Sequence, residues 1–248
     1  MENNTIFSDP TSSLPIIIYS HSSYSDILHI TICRLKKYAE KCKIIIFSNI
    51  ILHNEYEHIL YDENFSYSKR IEYCLNIISA KYSYLLFMHE NNTLYDYMNY
   101  DHMHHVYHAI ITKNIDQLRL CKNGVPNNNI EFFNKLDKYI FEIPKNDSYI
   151  FSVQPTIWKI STFLEIMQNK DYNYRNIELN IDKYMLKYLN CFYYNNEETF
   201  INTNRCKSTI FPLLHLTAYG KWLYSENIPY IDELFSEYNI DKSIRGYI

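Results

Sequence analysis

The sequence predicts an α/β fold built on a mixed, mainly parallel sheet flanked by helices. Short apolar runs alternate with stretches of helical periodicity, an order typical of parallel strands joined by crossover helices. The run Tyr84–Met88 is almost entirely apolar, as expected of a strand buried on both faces. It ends at the polar run His89-Glu90-Asn91-Asn92. Because open α/β sheets bind ligands beyond the carboxyl ends of their strands, this strand end is where we expect a site.

Length and composition are those of one folded domain. The chain has 248 residues, of which 47% are hydrophobic, which is enough to bury a large core. No linker rich in proline, glycine or serine divides it. We therefore predict a single domain spanning 1–248, with a flexible arm at 1–14, a first half at 15–125 and a second half at 126–248.

Several classes of protein are disfavoured by composition. The net charge of −4 gives no reason to expect a nucleic-acid partner. Only three glycines are present, so no glycine-rich phosphate loop can form, and a methyltransferase is disfavoured for the same reason. Six scattered cysteines without a CxxC pair are typical of reduced thiols in a cytoplasmic protein. No signal peptide and no apolar run of transmembrane length is seen, so we expect no transmembrane segment.

The first half begins with a βαβ unit. Ile16–Tyr19 is a compact β-branched strand, and it runs into the polar loop Ser20–Asp26. Apolar residues at helical spacing follow over Ile27–Tyr38, and Lys43–Phe47 forms a second strand. A right-handed crossover between these strands places the Ser20–Asp26 loop at the same edge of the sheet as His89 and Glu90.

The remaining elements are predicted in chain order. Apolar residues at helical spacing predict helices within 62–80 and near 96–111, 162–167, 181–189 and 231–238. Short apolar runs predict extended segments at 115–120, 138–143 and 149–154. His104 and His108 lie four residues apart on one helix, a spacing compatible with zinc. Since no third ligand or HExxH glutamate accompanies them, we interpret them as a solvated helix surface.

A set of short motifs occurs in a fixed order along the chain. They are the His89-Glu90 strand end followed by Leu94, Gln154-Pro155-Thr156-Ile157-Trp158-Lys159, Asn176-Ile177-Glu178, His215 with Gly220-Lys221-Trp222, and Tyr238-Asn239-Ile240-Asp241 with Arg245-Gly246. The set resembles GT-A glycosyltransferases, in particular small enzymes of large DNA viruses and bacteria whose apolar strand ends in His-Glu-Asp, a DxD-like segment. The resemblance spans about residues 15–246.

The resemblance implies a GT-A-like (Rossmann-like) fold and a defined activity. The expected reaction moves a sugar from a nucleoside-diphosphate sugar, such as a UDP-sugar, to a hydroxyl acceptor, for which a glycan is expected. Residues 15–125 would bind the nucleotide, and 126–248 would bind the acceptor and end in a C-terminal helix. The protein would act in the cytoplasm, or in the host cytoplasm if its source is viral.

The chemistry of this reaction assigns roles to particular residues. The donor nucleotide is expected at Tyr19, His21, Ser22, Tyr24, Lys69, Glu90 and Lys221. A Mn²⁺ or Mg²⁺ ion that neutralises the leaving diphosphate is expected at Glu90, Asn92 and His215. The catalytic base is expected to be Glu178, with Asp182 in reserve. The acceptor or sugar is expected at Gln154 and Trp158, where Trp158 would form an apolar wall or sugar platform; a tryptophan buried in the core is the alternative.

One departure from the family's pattern leaves two alternatives open. Asn91 stands where the relatives have aspartate, and an amide brings no charge to hold a hard cation. The chain therefore also fits a catalytically degenerate transferase fold kept as a binding or structural module. A sugar nucleotidyltransferase is a further alternative, although the glycine-rich N-terminal loop usual in that class is missing.

Overall fold

The computed structural model describes residues 13–121, 134–147, 149–174, 177–181, 183–196, 205–206, 208–223 and 230–248. The strands are β1 Ile16–Tyr19, β2 Ile44–Ser48, β3 Glu57–Leu60, β4 Tyr84–His89, β5 Asn92–Leu94, β6 Gln117–Arg119, β7 Ile140–Glu142, β8 Thr156–Lys159, β9 Cys191–Tyr194, β10 Arg205–Cys206, β11 Leu213–His215, β12 Thr217–Ala218 and β13 Lys221–Trp222. The helices are α1 Ser25–Tyr38, α2 Tyr67–Ile78, α3 Tyr100–Thr112, α4 Ile160–Met167, α5 Ile177–Asn180, α6 Lys183–Leu186 and α7 Tyr230–Glu237, with short 3₁₀ turns at Ser22–Tyr24 and Lys242–Ile244.

Eight strands form the main sheet, in the order β3-β2-β1-β4-β8-β6-β9-β7. The first four are parallel, β8 is antiparallel to both of its neighbours, β6 and β9 are again parallel, and β7 is antiparallel to β9. The order 3-2-1-4 at one side is the doubly wound arrangement of Rossmann-like sheets. The predicted α/β class, with a mixed, mainly parallel sheet flanked by helices, is confirmed.

Side chains of the central strands alternate between two apolar layers. On one face Ile16 and Ile18 of β1 pack with Leu86 and Met88 of β4 beneath α1 and α3. On the other face Ile17 of β1 and its neighbours in β2 and β4 pack beneath α2, α4 and the short helices that follow α4. All six residues of β4 are buried, as predicted for a strand covered on both faces.

A smaller apolar layer attaches the C-terminal region. Ile27 and Ile30 lie on a second face of α1 and pack against Leu214, Trp222 and residues of α7. β5 continues the chain beyond β4, pairs with β11 and so belongs to a three-stranded sheet in the order β10-β11-β5. This second sheet brings residues from near the C-terminus to the end of the central strand.

Two elements differ from the sequence predictions. Residues 149–154 form no strand, because the Val153 N–H bonds the Glu178 carboxylate and the Gln154 N–H bonds the Ser152 hydroxyl. Side-chain acceptors thus take the place of a strand partner. Conversely β9, which lies outside the predicted extended segments, is an inner strand of the sheet.

The predicted arm, at 1–14, overlaps the described residues only at positions 13 and 14. Residues 1–12 of the arm lie outside the described residues. Within the described ranges, no helix has the length and apolar character needed to cross a membrane.

Candidate functional site

The ends of β1 and β4 lie side by side. Tyr19 is in register with His89, and the Glu90 N–H donates to the Tyr19 carbonyl at 3.2 Å. From β1 the sheet continues to β2 on one side, whereas β4 lies on the other, so the strand order reverses here. Parallel sheets bind ligands at such a switch point, outside the carboxyl ends of the strands. The predicted juxtaposition of the first strand and the strand ending at Glu90 is confirmed.

The loop after β1 is held by residues that follow β2 and β3. The Ser22 N–H donates to Asn49 Oδ1 at 2.8 Å, and Asn49 Nδ2 donates to Glu63 at 3.0 Å. His21 Nε2 lies 3.5 Å from the same Glu63 carboxylate. Hydroxyl, amide, imidazole and carboxylate groups therefore line this end of the sheet, which suits the polar edges of a ribose and a base.

Tyr19 forms the inner wall of this region. Its ring is buried and stacks on Tyr61 at 5.3 Å, while its hydroxyl accepts a hydrogen bond from Arg70 at 3.3 Å. Burial raises the pKa of Tyr19, so its hydroxyl stays neutral. Lys69, the residue predicted from sequence, pairs instead with Asp171 at 3.6 Å. Arg70 is therefore the basic residue of α2 that reaches the strand ends.

Glu90 is a buried carboxyl at the end of β4. Only 8% of its surface is exposed, and burial raises its pKa to about 8. The charge of Arg245 lowers this pKa and that of Asp26 raises it. The Thr31 hydroxyl bonds the backbone carbonyl of Glu90 and so ties the strand end to α1. Near neutral pH, the carboxyl carries a proton unless a bound cation displaces it.

The C-terminal tail closes one side of the same loop. Arg245 makes two hydrogen bonds to the carboxylate of Asp26, one of them at 2.7 Å from Nε, and its guanidinium lies 4.8 Å from the Tyr24 ring centroid. The Trp222 N–H donates to the Gly246 carbonyl at 3.0 Å, which fixes the tail alongside β13. A positive charge from the end of the chain is thus held next to the first turn of α1.

Two predicted metal ligands, Asn92 and His215, are neighbours on adjacent strands of the second sheet. Asn92 is opposite His215 in the antiparallel β5–β11 pair, so their side chains lie on one face. The amide oxygen of Asn92 is buried without a hydrogen-bond partner, and burial lowers the pKa of His215 to about 4, leaving a neutral imidazole. An amide oxygen and an imidazole are acceptable Mn²⁺ donors. The described residues contain no group of three His, Cys, Asp or Glu side chains that could hold a metal, and Asn92 is not one of these residue types.

Asn91 has a structural use that aspartate could not fill. Its side-chain Nδ2 donates to the Thr217 carbonyl at 3.3 Å, and its own carbonyl accepts from the Leu216 N–H at 3.0 Å. A carboxylate at this position has no proton to donate and would face a carbonyl oxygen. The amide therefore fastens the β12–β13 hairpin to the end of β4.

Glu178 is a positioned carboxylate on α5. Its Oε1 accepts hydrogen bonds from the Ser152 hydroxyl at 2.9 Å and the Val153 N–H at 2.8 Å. This double contact fixes one oxygen of the side chain. Asp182, the reserve candidate for the base, lies outside the described residues.

A group of aromatic rings packs around His89 at the end of β4. Tyr174 packs on His89 with ring centroids 5.0 Å apart, and the Tyr67 hydroxyl bonds His89 Nε2 at 2.8 Å. Burial lowers the pKa of His89 to about 3, so this ring is uncharged. Burial raises the pKa of both tyrosines, and the charges of Glu90 and Glu178 raise each further. Both carboxylates are therefore within electrostatic reach of the same two phenols.

Of the two residues predicted to contact the acceptor or sugar, Gln154 stays a prediction and Trp158 is corrected. Gln154 accepts a hydrogen bond from the Cys121 thiol at 2.9 Å. Trp158 is only 1% exposed and stacks on Phe163 at 4.9 Å within the core. A ring covered in this way has no face for a sugar, so the prediction of Trp158 as a platform is wrong. Lys221 is exposed on β13, opposite Ala218.

Several residues of the site were missed from sequence. Asn49 follows a predicted strand, so the rule that ligands bind beyond the carboxyl ends of strands could have identified it, as it identified Glu90. Arg70 adjoins Lys69, and sequence spacing does not show which of two consecutive helix residues faces the sheet. Glu63 and Tyr174 lie in loops whose course has no periodic signal.

Comparison with known proteins gives distant likenesses only. No protein-family model matches the sequence, and no curated protein matches it. Among solved structures, A197 from STIV is 13% identical, with 86% of this chain and 100% of A197 covered and a TM-score of 0.41. S. aureus TarS is 13% identical, covering 73% of this chain and 36% of TarS, with a TM-score of 0.43.

A third structure is similarly remote. The bifunctional IspDF from Campylobacter jejuni is 10% identical, covering 71% of this chain and 46% of IspDF, with a TM-score of 0.39. The chain thus spans less than half the length of TarS and of IspDF. Similarity at this level transfers no activity to this chain.

Proposed function

We propose that the protein is a GT-A-like glycosyltransferase that moves a sugar from a nucleoside diphosphate to a hydroxyl acceptor. The observation that carries the proposal is the meeting of two parallel strand ends at a switch point, with the Ser20–Tyr24 loop on one and Glu90 on the other. A second carboxylate, Glu178, acts electrostatically on Tyr67 and Tyr174, which also feel the charge of Glu90. The ordered motifs of the sequence support the same reaction.

The nucleotide is assigned to the end of β1. His21 and Ser22 present polar groups there, held in place by Asn49 and Glu63. Arg70 adds a positive charge beside Tyr19. A ribose and base placed against this loop would direct the diphosphate toward the neighbouring strand end, where Glu90 and Asn92 lie.

The diphosphate gains charge as it leaves and must be neutralised. Asn92 and His215 fit a Mn²⁺ ion in part, and a divalent ion usually completes its shell with waters and substrate phosphate oxygens. When bound, the cation would supply charge neutralisation for the leaving diphosphate. Glu90 would contribute as a carboxylate after releasing its proton.

Glu178 is proposed to remove the proton of the acceptor hydroxyl. Both of its contacts to Ser152 and Val153 end on Oε1, so we assign Oε2 to the acceptor. A carboxylate fixed at one oxygen loses little side-chain freedom when the acceptor binds. Positioned bases of this kind contribute roughly 10²–10⁴-fold to rate.

A second reading is a nucleotide-binding module without catalysis. Asn91 is committed to the Thr217 carbonyl, and Glu90 is neutral near pH 7 without a cation. Both observations favour weak metal binding. This module would share the nucleotide site but would not release a sugar.

The test incubates the protein and Mn²⁺ with UDP-, GDP- and TDP-sugars and follows both thermal shift and release of the nucleoside diphosphate. Glu178→Gln should bind nucleotide as the wild type does but turn over at least about 100-fold more slowly. Glu165→Gln, at an exposed position on α4, is the matched control and should leave the rate unchanged. If the protein responds to no nucleotide, the proposal is wrong. If it binds a nucleotide sugar but releases no nucleoside diphosphate, the non-catalytic nucleotide-binding module is supported instead.

A further inference from the structure

Tyr174 is the exposed member of a stack of aromatic rings at the candidate site. The stack comprises Tyr19, Tyr61, Tyr67, His89 and Tyr174. Four of these residues are less than a tenth exposed, whereas Tyr174 is 47% exposed. Tyr174 therefore covers a buried aromatic floor. Nearly half of the residue's surface is open to solvent, whereas its hydroxyl end is enclosed, since burial raises the pKa of the phenol.

The floor beneath Tyr174 holds the ring in a defined orientation. Its centroid lies 5.0 Å from that of His89 at an interplanar angle of 31°, and 5.5 Å from that of Tyr67. Tyr67 and His89 are joined by a 2.8 Å hydrogen bond. With one side supported by these rings, the opposite side of Tyr174 is the side that a ligand would meet.

The surroundings of Tyr174 favour an uncharged ligand rich in hydroxyl groups. Glu90 comes from the end of β4 and Glu178 from α5, and both act electrostatically on Tyr174. Carboxyl groups bond readily to hydroxyls, whether they accept as carboxylates or donate as protonated acids, whereas phosphate oxygens approach a carboxylate only through a cation. A sugar ring combines an apolar C–H face, which suits an aromatic plane, with a rim of hydroxyls.

We propose that Tyr174 is the platform on which the transferred sugar of the donor packs, the role that sequence had assigned to Trp158. The inference rests on the proposed function, because it places this sugar between the nucleotide end of β1 and the carboxylate of Glu178. Tyr174 is a specificity residue in this scheme, and it takes no part in proton transfer. A hexose ring stacked on Tyr174 would present its hydroxyls to both carboxyl groups.

The platform is tested by comparing the affinity for a sugar nucleotide with the affinity for the nucleotide alone. In calorimetric titrations with Mn²⁺, Tyr174→Ala should weaken binding of the best UDP-, GDP- or TDP-sugar about tenfold, because the contact between the ring and the sugar is lost. Its affinity for the matching free nucleoside diphosphate should stay within about twofold. Tyr174→Phe keeps the ring face and should behave as wild type in both titrations.

A matched control separates this role from a general effect of removing a tyrosine. Tyr73, on the outer side of α2, is 46% exposed, nearly the same as Tyr174. Tyr73→Ala should change neither affinity. Equal weakening of nucleotide and sugar nucleotide by Tyr174→Ala would show that the ring stacks on the base, and no change in either would show that it contacts no ligand. Both results overturn the platform.

Failure of the proposed function is distinguished by a ligand-observed experiment without nucleotide. Saturation-transfer NMR with methyl glucoside, methyl galactoside and methyl mannoside asks whether sugars alone contact the protein. If no nucleotide binds but a sugar receives saturation from wild type and not from Tyr174→Ala, the platform stands and the transferase proposal falls. If neither nucleotides nor sugars bind, both fall. Choline, included as a cationic probe, should receive none, and saturation of choline through Tyr174 would identify a cation site instead.

Discussion

Replacing Glu90 by glutamine should stabilise the protein, and the gain should grow with pH. The folded carboxyl has a pKa of about 8 against an ordinary value of 4.5, because it is buried at the end of β4. Between these two pH values the folded state holds a proton that the unfolded state has released. The wild type therefore loses stability as pH rises through this window, and Glu90→Gln, which cannot ionise, escapes that loss.

The size of the effect follows from the pKa difference. Each pH unit above 4.5 favours the unfolded state by about 1.4 kcal/mol until the folded carboxyl itself ionises. At about pH 7.5 the accumulated difference is roughly 4 kcal/mol, an order-of-magnitude value. Near pH 5 the same difference should be under about 1 kcal/mol.

Urea unfolding of wild type and Glu90→Gln at several pH values from 5 to 8 measures this difference directly, with Mn²⁺ and nucleotide absent. His89 and His215, whose pKa values burial lowers to about 3 and about 4, make both proteins less stable as pH falls below about 6.5. This loss is common to the two proteins and cancels in the comparison. A stability difference that stays constant with pH, or shrinks as pH rises, would refute the conclusion that burial dominates the pKa of this carboxyl.

Three further substitutions test single contacts by urea unfolding. Asn91→Asp removes the hydrogen bond to the Thr217 carbonyl and places a carboxylate against it, so without metal it should lower stability by about 1–3 kcal/mol. Arg245→Met removes both bonds to Asp26 and should lower stability by about 1–2 kcal/mol, less at high salt. Trp158→Ala empties a core position and should lower stability by about 3–5 kcal/mol.

The first two substitutions each have a control variant, and the third has an outcome that would contradict it. Asn91→Ala loses the donor without adding charge, so it should be less destabilising than Asn91→Asp; the reverse order contradicts the contact. Lys242→Met removes an exposed ion pair with Asp232 and should change stability by less than about 1 kcal/mol. A loss from Trp158→Ala below about 1 kcal/mol would mean that the ring is not enclosed as described.

The central strands and the first helix could be predicted from sequence because the patterns that indicate them involve only neighbouring residues. Ile16–Tyr19 and the run ending at His89 are apolar at successive positions, and such runs are stable only when both faces of the strand are covered. The helix after the first strand follows from apolar residues at helical spacing. Glu90 was identifiable because polarity changes abruptly where a buried strand ends.

The acceptor side was harder to predict because its contacts are long-range. Glu178 was proposed from a motif, but its partners Ser152 and Val153 are 26 and 25 residues away, in a segment predicted to be a strand. Tryptophan is a residue type that can stack on a sugar, but Trp158 lies on an inner strand, where neighbouring strands and Phe163 cover it. Residue type alone does not distinguish a buried tryptophan from an exposed one.

By itself, the sequence determined the α/β class and the polar end of the central strand, because hydrophobic periodicity and strand termination are properties of neighbouring residues. Only the tertiary structure decided that Asn92 faces His215, that Arg245 reaches back to Asp26, and that Tyr174 covers His89. Those pairs are separated by long stretches of chain. They come together through the sheet order and the packing of the second sheet, which no local pattern encodes.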